Sequence, residues 1–353
     1  MDKIIIANWR TQKEGLGGQE SYFSDLSKIL NARIISYKGA EKVINQNLFS
    51  DPFRIVYQGY IIDKYLETYE KLFKPELIVK NSAVGGLTKL KTPQITIFQD
   101  PYYSISKRLI EKKQFAAQSE HYYACIELQR RTANQGKTVA VSNFMKEDMK
   151  MCGIKCDKII EEGVDTEIFK PLNKKELKKA HNIPLDKKVG IAVTKFDSTK
   201  GWHMLAEIIN KFQDIYWIVV FTSEVGCKPK LKNVSIAEKV DPSLMPQFYN
   251  LADFFINTSP IESFGLSAIE SASCNIPIIT YKTGFAWDWW DKRLGIRVDD
   301  WNYKSFENAI KNLFKGKTKY DPRKSIIGRG FTKERMAKGW NDYIKKILNS
   351  KTT

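Results

Sequence analysis

The sequence predicts an α/β protein with two doubly wound parallel sheets, and three observations carry that prediction. Short β-branched runs alternate with helix-length amphipathic segments, the runs are apolar on both faces, and the alternation halts near the middle of the chain before restarting. A length of 353 residues exceeds the size at which single cores usually stop growing, and 42% hydrophobic with 12% aromatic content is ample for two interiors.

In the first half, Lys3–Asn8, Arg33–Tyr37, Glu76–Lys80, Ile95–Phe98 and Lys137–Ser142 read as strands separated by segments of helical period. The pattern restarts with Lys188–Thr194, Ile215–Phe221, Asp253–Asn257 and Ile276–Thr280 as strands, and with helices near Gly201–Phe212, Ser243–Ala252 and Gly265–Cys274. Between the halves, Phe169-Lys170-Pro171-Leu172-Asn173-Lys174 combines a proline with lysines, which marks a linker. The expected division is an N-terminal domain over 1–170, a C-terminal domain over 171–332 and a tail over 333–353.

The longest apolar runs, such as Lys3–Ala7 and Trp217–Phe221, fall far short of the roughly 20 residues that cross a bilayer. With no signal-peptide pattern at the N-terminus, a soluble, cytoplasmic protein is the expectation. The five cysteines are scattered, and Cys152 with Cys156 has no second pair to complete a zinc site, so free thiols are expected.

The formal charge of +17 is unevenly placed: residues 1–170 hold 26 Lys/Arg against 21 Asp/Glu, whereas residues 311–353 hold 13 against 3. Such a tail suits phosphates of nucleic acid or anionic lipid, and suits a solvated lysine-rich surface equally. Within it, Lys333–Asn349 gathers Met336, Trp340, Tyr343, Ile344, Ile347 and Leu348 on one helical face. Docking on the protein itself and peripheral contact with an anionic membrane both fit a basic amphipathic helix.

In open parallel sheets ligands bind beyond the carboxyl ends of the strands, where loops enter helix N-termini. Three features of the second half sit there. Thr194-Lys195-Phe196-Asp197-Ser198-Thr199-Lys200-Gly201 follows a strand and opens a helix, placing two ammonium groups and backbone N–H groups side by side for a diphosphate. In Pro260-Ile261-Glu262-Ser263-Phe264-Gly265-Leu266 a carboxylate precedes a helix start whose N–H groups, at Phe264, Gly265 and Leu266, favour a phosphate. Glu270, one turn into that helix, is placed to accept hydrogen bonds from a vicinal diol such as ribose.

The stretch Glu262-Ser263-Phe264-Gly265-Leu266-Ser267-Ala268-Ile269-Glu270 resembles the Glu-x7-Glu motif of retaining GT-B glycosyltransferases, which include sucrose and glycogen synthases and bacterial mannosyltransferases. Leu251–Ser259, Val141-Ser142-Asn143-Phe144, Glu162–Phe169 and Gly17-Gly18 are similar to that family's surrounding segments, in the right order over roughly residues 4–300. The resemblance implies two Rossmann-like domains facing across a cleft, with acceptor bound by the first and a nucleoside-diphosphate-sugar by the second. It further implies that Glu270 holds the ribose, Glu262 contacts the sugar, Lys200 and Lys195 neutralise the diphosphate, and Ser263, Phe264, Gly265 and Leu266 complete the donor site together with Gly17 and Gly18.

Two departures stand out. Lys195 occupies a position where the family usually has arginine, which keeps charge and loses the bidentate fork. Ile97-Phe98-Gln99-Asp100 lacks the histidine of many relatives, leaving Gln99 or Asp100 to meet a sugar or acceptor, with Ser142 a further candidate. His121, His181 and His203 sit in no triad-like context and read as structural. The loop Gly284-Phe285-Ala286-Trp287-Asp288-Trp289-Trp290 stands where the family has a glycine-rich turn; sugar stacking, membrane contact and simple burial all remain open for it.

Transfer builds negative charge on the leaving nucleoside diphosphate, and Lys195, Lys200 and the helix start at Gly265 are aimed at that charge. No Asp-x-Asp motif is present, so metal-independent transfer with no cofactor, and retention as in the resembled family, is the expectation. The acceptor, whether glycan, lipid, protein or nucleic acid, stays open. Alternatives are a GT-B nucleotide-sugar epimerase, a basic nucleic-acid-binding protein and a DNA-modifying transferase.

Overall fold

The computed structural model describes residues 3–9, 18–37, 54–111, 116–226, 231–316 and 318–349. The chain forms two compact units. One runs to Glu161 and takes up the chain again from Met336, while the other holds Glu162–Arg335. The division therefore falls before the linker expected at Pro171, and the last helix packs with the first unit.

In the first unit the order is β1 (Ile4–Asn8), α1 (Gly18–Leu30), β2 (Arg33–Ser36), α2 (Arg54–Phe73), β3 (Leu77–Asn81), β4 (Gln94–Phe98), α3 (Tyr102–Glu111), α4 (Ala116–Ala133), β5 (Lys137–Ala140), α5 (Asn143–Met151) and β6 (Lys158–Ile159). The strands pair in parallel in the order β2-β1-β3-β4-β5-β6. Strands β3 and β4 are buried at every position, which accounts for their apolar Leu77-Ile78-Val79 and Ile97-Phe98 and also encloses the polar Lys80, Asn81, Gln94 and Thr96.

The second unit follows with α6 (Lys174–Ala180), β7 (Val189–Thr194), α7 (Trp202–Lys211), β8 (Tyr216–Phe221), β9 (Val234–Glu238), α8 (Met245–Leu251), β10 (Phe254–Asn257), α9 (Leu266–Ser273), β11 (Ile278–Tyr281), β12 (Gly295–Val298), α10 (Tyr303–Phe314) and α11 (Pro322–Arg329). Its parallel sheet has the order β12-β11-β10-β7-β8-β9. One core cluster packs Trp217, Phe254, Ile208 and Phe306 between sheet and helices, with Trp217 and Phe254 edge to face at 5.5 Å.

Strands β6, β9 and β12 were not expected from sequence, and all three are sheet edges. An edge strand buries less of itself, so it needs less apolar sequence: β9 is partly exposed along its whole length.

The final helix, α12 (Lys333–Asn349), has the predicted limits. Met336, Trp340 and Ile344 are buried, and the Trp340 indole N–H donates to the Tyr22 hydroxyl at 3.0 Å. Burial inside the first unit takes up the centre of the apolar face, as expected of a helix docked on the protein itself. No helix among the described residues is long and apolar enough to cross a membrane.

Candidate functional site

In each sheet the strand order reverses direction at one place, and that place opens a crevice at the carboxyl ends of two adjacent strands. For the second sheet it lies between β7 and β10. The loops that leave these two strands carry Lys195 and Lys200 on one side and Glu262 to Gly265 on the other.

On the β7 loop, Asp197 caps a single 3-10 turn over Ser198–Lys200, its carboxylate accepting from the Lys200 N–H at 3.0 Å. Gly201 ends the turn at φ 70°, and a Cβ there would stand 2.2 Å from the Thr258 carbonyl oxygen. Only glycine satisfies both demands. The Thr258 hydroxyl donates to the Gly201 carbonyl at 3.1 Å, and the Trp301 indole donates to the Thr258 carbonyl at 2.9 Å. These bonds clamp the two loops together at the switch point.

The clamp brings Lys200 and Glu262 into contact, Nζ to Oε2 2.8 Å, with side-chain exposures of 31% and 17%. A half-exposed pair contributes about 1 kcal/mol or less, because solvent screens it. Its main consequence is orientation: Lys200 has three N–H donors, so it can meet a phosphate oxygen while still holding Glu262. The Glu262 N–H donates to the Thr283 hydroxyl at 2.8 Å, which also fixes the backbone of the carboxylate.

Lys195 is exposed on the same loop. The backbone N–H groups expected to help there are partly committed: those of Asp197, Lys200 and Gly201 bond to Lys195, Asp197 and Ser198. On this loop the two ammonium groups, exposed on Lys195 and partly exposed on Lys200, are the cationic donors.

Helix α9 starts at Leu266, one residue after Gly265, whose φ of 101° suits glycine alone. No side chain caps the helix; the Gly265 carbonyl already accepts from Ala268 and Ile269, so the first-turn amides are those of Leu266 and Ser267. Phe264 is buried and its carbonyl accepts from Phe285 N–H at 2.8 Å, while Ser263 is half-buried on the loop beside it.

Glu270 lies one turn into α9, partly exposed, and Tyr249 on α8 donates its hydroxyl to Oε2 at 2.7 Å. Tyr249 is fully buried; burial first, and then the Glu270 charge, hold its phenol well above the usual range, so it remains a donor. The other carboxylate oxygen is thereby aimed by a rigid partner. Cys274, also close to Glu270, is pushed up to about 12 mainly by burial and so behaves as an inert thiol.

The remaining expected residues belong to the first unit. Gln99 is buried at the end of β4. The Asp100 carboxylate accepts from Gln19 Nε2 at 3.1 Å, and its carbonyl accepts from Gln129 Nε2 at 3.0 Å. Ser142 caps α5, accepting from Met145 N–H at 3.0 Å, which gives its hydroxyl a structural task. Gly18 begins α1, and Gly17 lies outside the described residues. The rings of His181 and His203 pack against Phe248 and Trp301, at 6.1 and 5.5 Å.

With this geometry in place, comparison with known proteins places the region. Residues 173–331 match the family model described as glycosyl transferases group 1. The match contains every element that builds the switch-point site. A curated relative, a D-inositol 3-phosphate glycosyltransferase from Acidothermus cellulolyticus, is 23% identical over 214 residues. That alignment takes in 54% of this chain and only 46% of the relative, so the chain spans less than half of that relative's length.

Among solved structures, sucrose-phosphate synthase from Thermosynechococcus elongatus superposes with a TM-score of 0.82 at 14% identity, covering 99% of this chain and 100% of the other. The Anabaena protein HepE, solved in complex with UDP and glucose, gives 0.74 at 16% identity, over 98% and 100%. The fold is GT-B.

Sequence reasoning missed Tyr249, Thr283, Thr258 and Trp301, which orient the group-1 region's charged residues without sharing a spaced motif with them. Thr258 and Thr283 are hydroxyl residues just past the ends of β10 and β11, which is a weak signal, whereas nothing in the sequence marks Tyr249 or Trp301.

Proposed function

We propose that the protein is a glycosyltransferase that moves a sugar from a nucleoside-diphosphate-sugar to a hydroxyl acceptor, with retention and without a metal ion. The observation that carries this reading is the Lys200–Glu262 contact at the switch point, with Glu270 one helical turn away. A cation, a helix start and two carboxylates in one crevice match the parts of a nucleotide sugar in sequence: diphosphate, sugar and ribose.

In this reading Glu270, steadied by Tyr249, accepts the ribose hydroxyls, and Glu262 accepts a hydroxyl of the donor sugar. Lys195, Lys200 and the Leu266 and Ser267 N–H groups stabilise the diphosphate as the glycosidic bond breaks and negative charge grows on it. The group-1 match and the UDP bound by HepE support a nucleotide donor. The donor is a co-substrate, and the reading calls for no resident cofactor.

A thermal-shift panel of UDP-, GDP-, ADP- and TDP-sugars tests it, because a ligand that binds only the folded state raises the melting point. At least one of them should raise Tm by several degrees, with turnover undiminished by a chelator and a product of the donor's anomeric configuration by NMR. No shift with any of the four overturns the proposal.

A further inference from the structure

Within the loop that follows β11, burial changes abruptly. Thr283, Gly284, Phe285 and Ala286 are buried, and the next two residues, Trp287 and Asp288, are exposed. Of the four aromatic rings there, Phe285 is buried, Trp289 and Trp290 are half-buried, and Trp287 is 42% exposed.

The buried part is held tightly against the switch-point site. Thr283 bonds to both the N–H and the carbonyl of Glu262, at 2.8 and 3.4 Å. A Cβ on Gly284 would stand 2.2 Å from the Phe264 carbonyl oxygen. Phe285 packs on Phe264 at 6.1 Å and stacks on Trp290 at 6.4 Å, while Arg297 donates to the Ala286 carbonyl at 3.3 Å. The Trp287 N–H then closes a 3-10 turn on the Gly284 carbonyl at 3.3 Å. At about 2 Å rise per residue, that turn leaves the Trp287 backbone within about 6 Å of Gly284, which touches the chain two residues from Glu262.

The turn fixes the Trp287 backbone, so on binding the ring gives up only its side-chain rotamer freedom. A flat apolar ring on a loop that is hydrogen-bonded to the Glu262 backbone, with Asp288 next in the chain, matches a pyranose, whose C–H face packs on an aromatic ring while its hydroxyls donate to carboxylates.

We infer that Trp287 is a sugar-stacking residue, the aromatic platform on which a pyranose ring lies beside Glu262. The inference rests on the glycosyltransferase reading above and adds to it a residue that selects a ring-shaped carbohydrate. The ring belongs either to the donor sugar or to a sugar acceptor, and the two sources are separable.

Calorimetric titration of the full chain with UDP, GDP, ADP and TDP first identifies the diphosphate bound; binding of none removes the underlying reading and this inference together. The bound diphosphate is then compared with its glucose and mannose conjugates, and the diphosphate-loaded protein is titrated with methyl α-glucoside and methyl α-mannoside. Trp287→Ala should leave the diphosphate affinity unchanged and weaken the conjugates, if the donor ring is stacked, or the methyl glycosides, if an acceptor ring is, by about ten-fold. Trp287→Phe, which keeps a flat face, should restore most of the loss, and Trp287→Leu should not. Three results overturn the inference while sparing the donor reading: unchanged sugar affinities in Trp287→Ala, an equal loss for the bare diphosphate, or no sugar contribution to wild-type binding. Loss of binding to phosphatidylglycerol vesicles with sugar affinities unchanged would assign Trp287 to a membrane and likewise overturn it.

Discussion

The two sheets place lysine and carboxylate in opposite ways. At the carboxyl end of the second sheet, Lys200 and Glu262 meet at 2.8 Å on loops, partly exposed and held by glycine and hydroxyl contacts. In the first sheet, Lys80 lies within β3, fully buried, with Nζ donating to Gln94, to Gln135 at 2.9 Å and weakly to the Gly85 carbonyl. Asp63, buried on α2, faces the same charge and accepts from the Leu87 N–H at 2.6 Å. Burial pushes Lys80 down to about 7 and Asp63 up to about 6, with each partner's charge opposing the shift. Among the groups at the carboxyl end of the second sheet, the Lys195 and Lys200 heads stay within reach of solvent. A charge kept at the surface of a crevice is available for chemistry, whereas one sealed inside a strand is committed to the fold.

Substitutions can break that contrast. Glu262→Ala and Glu270→Ala should each lower transfer by about 10³-fold, roughly 4 kcal/mol of transition-state stabilisation, with Tm within a few degrees of wild type. Wild-type turnover in both variants would remove these residues from the site. Lys80→Ala should do the reverse, costing about 3–5 kcal/mol in urea unfolding by stranding Asp63 and two glutamines. Nucleotide affinity measured on the remaining folded protein should not change.

Tyr249→Phe removes one hydrogen bond to a charged carboxylate, so nucleotide affinity should fall by about 2 kcal/mol, or roughly thirty-fold. Equal affinity in wild type and variant would show that Glu270 needs no orienting partner. Gly201→Ala forces a Cβ onto the Thr258 carbonyl at positive φ, and should cost about 1–3 kcal/mol of stability while separating Lys200 from Glu262, seen as a weaker diphosphate affinity.

The smallest effect is a pH slope. Lys80 moves from an ordinary 10.5 to about 7 on folding, so between those values the unfolded chain binds more protons and stability gains from rising pH. Asp63 moves from 3.8 to about 6, so between those values the folded protein binds more protons and stability falls as pH rises. The pair thus places a minimum in its own contribution between about pH 6 and 7. Wild-type stability minus that of Lys80→Met should rise from pH 7 to 9 by less than about 1.4 kcal/mol per unit, and a flat difference would contradict the shift.

Strands β3, β4, β7 and β8 were legible because buried parallel strands are apolar on both faces, and the limits of α12 because its apolar face repeats with helical period. Edge strands β6, β9 and β12 were not, since exposure relaxes that pattern. Glu262, Glu270 and Lys200 announced themselves by spacing next to glycine, whereas Tyr249 is 21 residues from the carboxylate it holds and resembles any core tyrosine.

Sequence alone therefore determined what local periodicity and spacing encode: two α/β halves, the helix start at Gly265 with its two glutamates, and a basic final helix. Tertiary structure decided what depends on contacts between distant segments. It set the order of strands and hence the switch points, joined Lys200 to Glu262 across 62 residues, and buried the face of α12 against Tyr22. It also left Trp287 and Asp288 exposed directly after the buried run Thr283 to Ala286. The physical reason is common to all of these: a side chain's solvent exposure and partner are set by which segments fold beside it, and no local pattern of residue types records that.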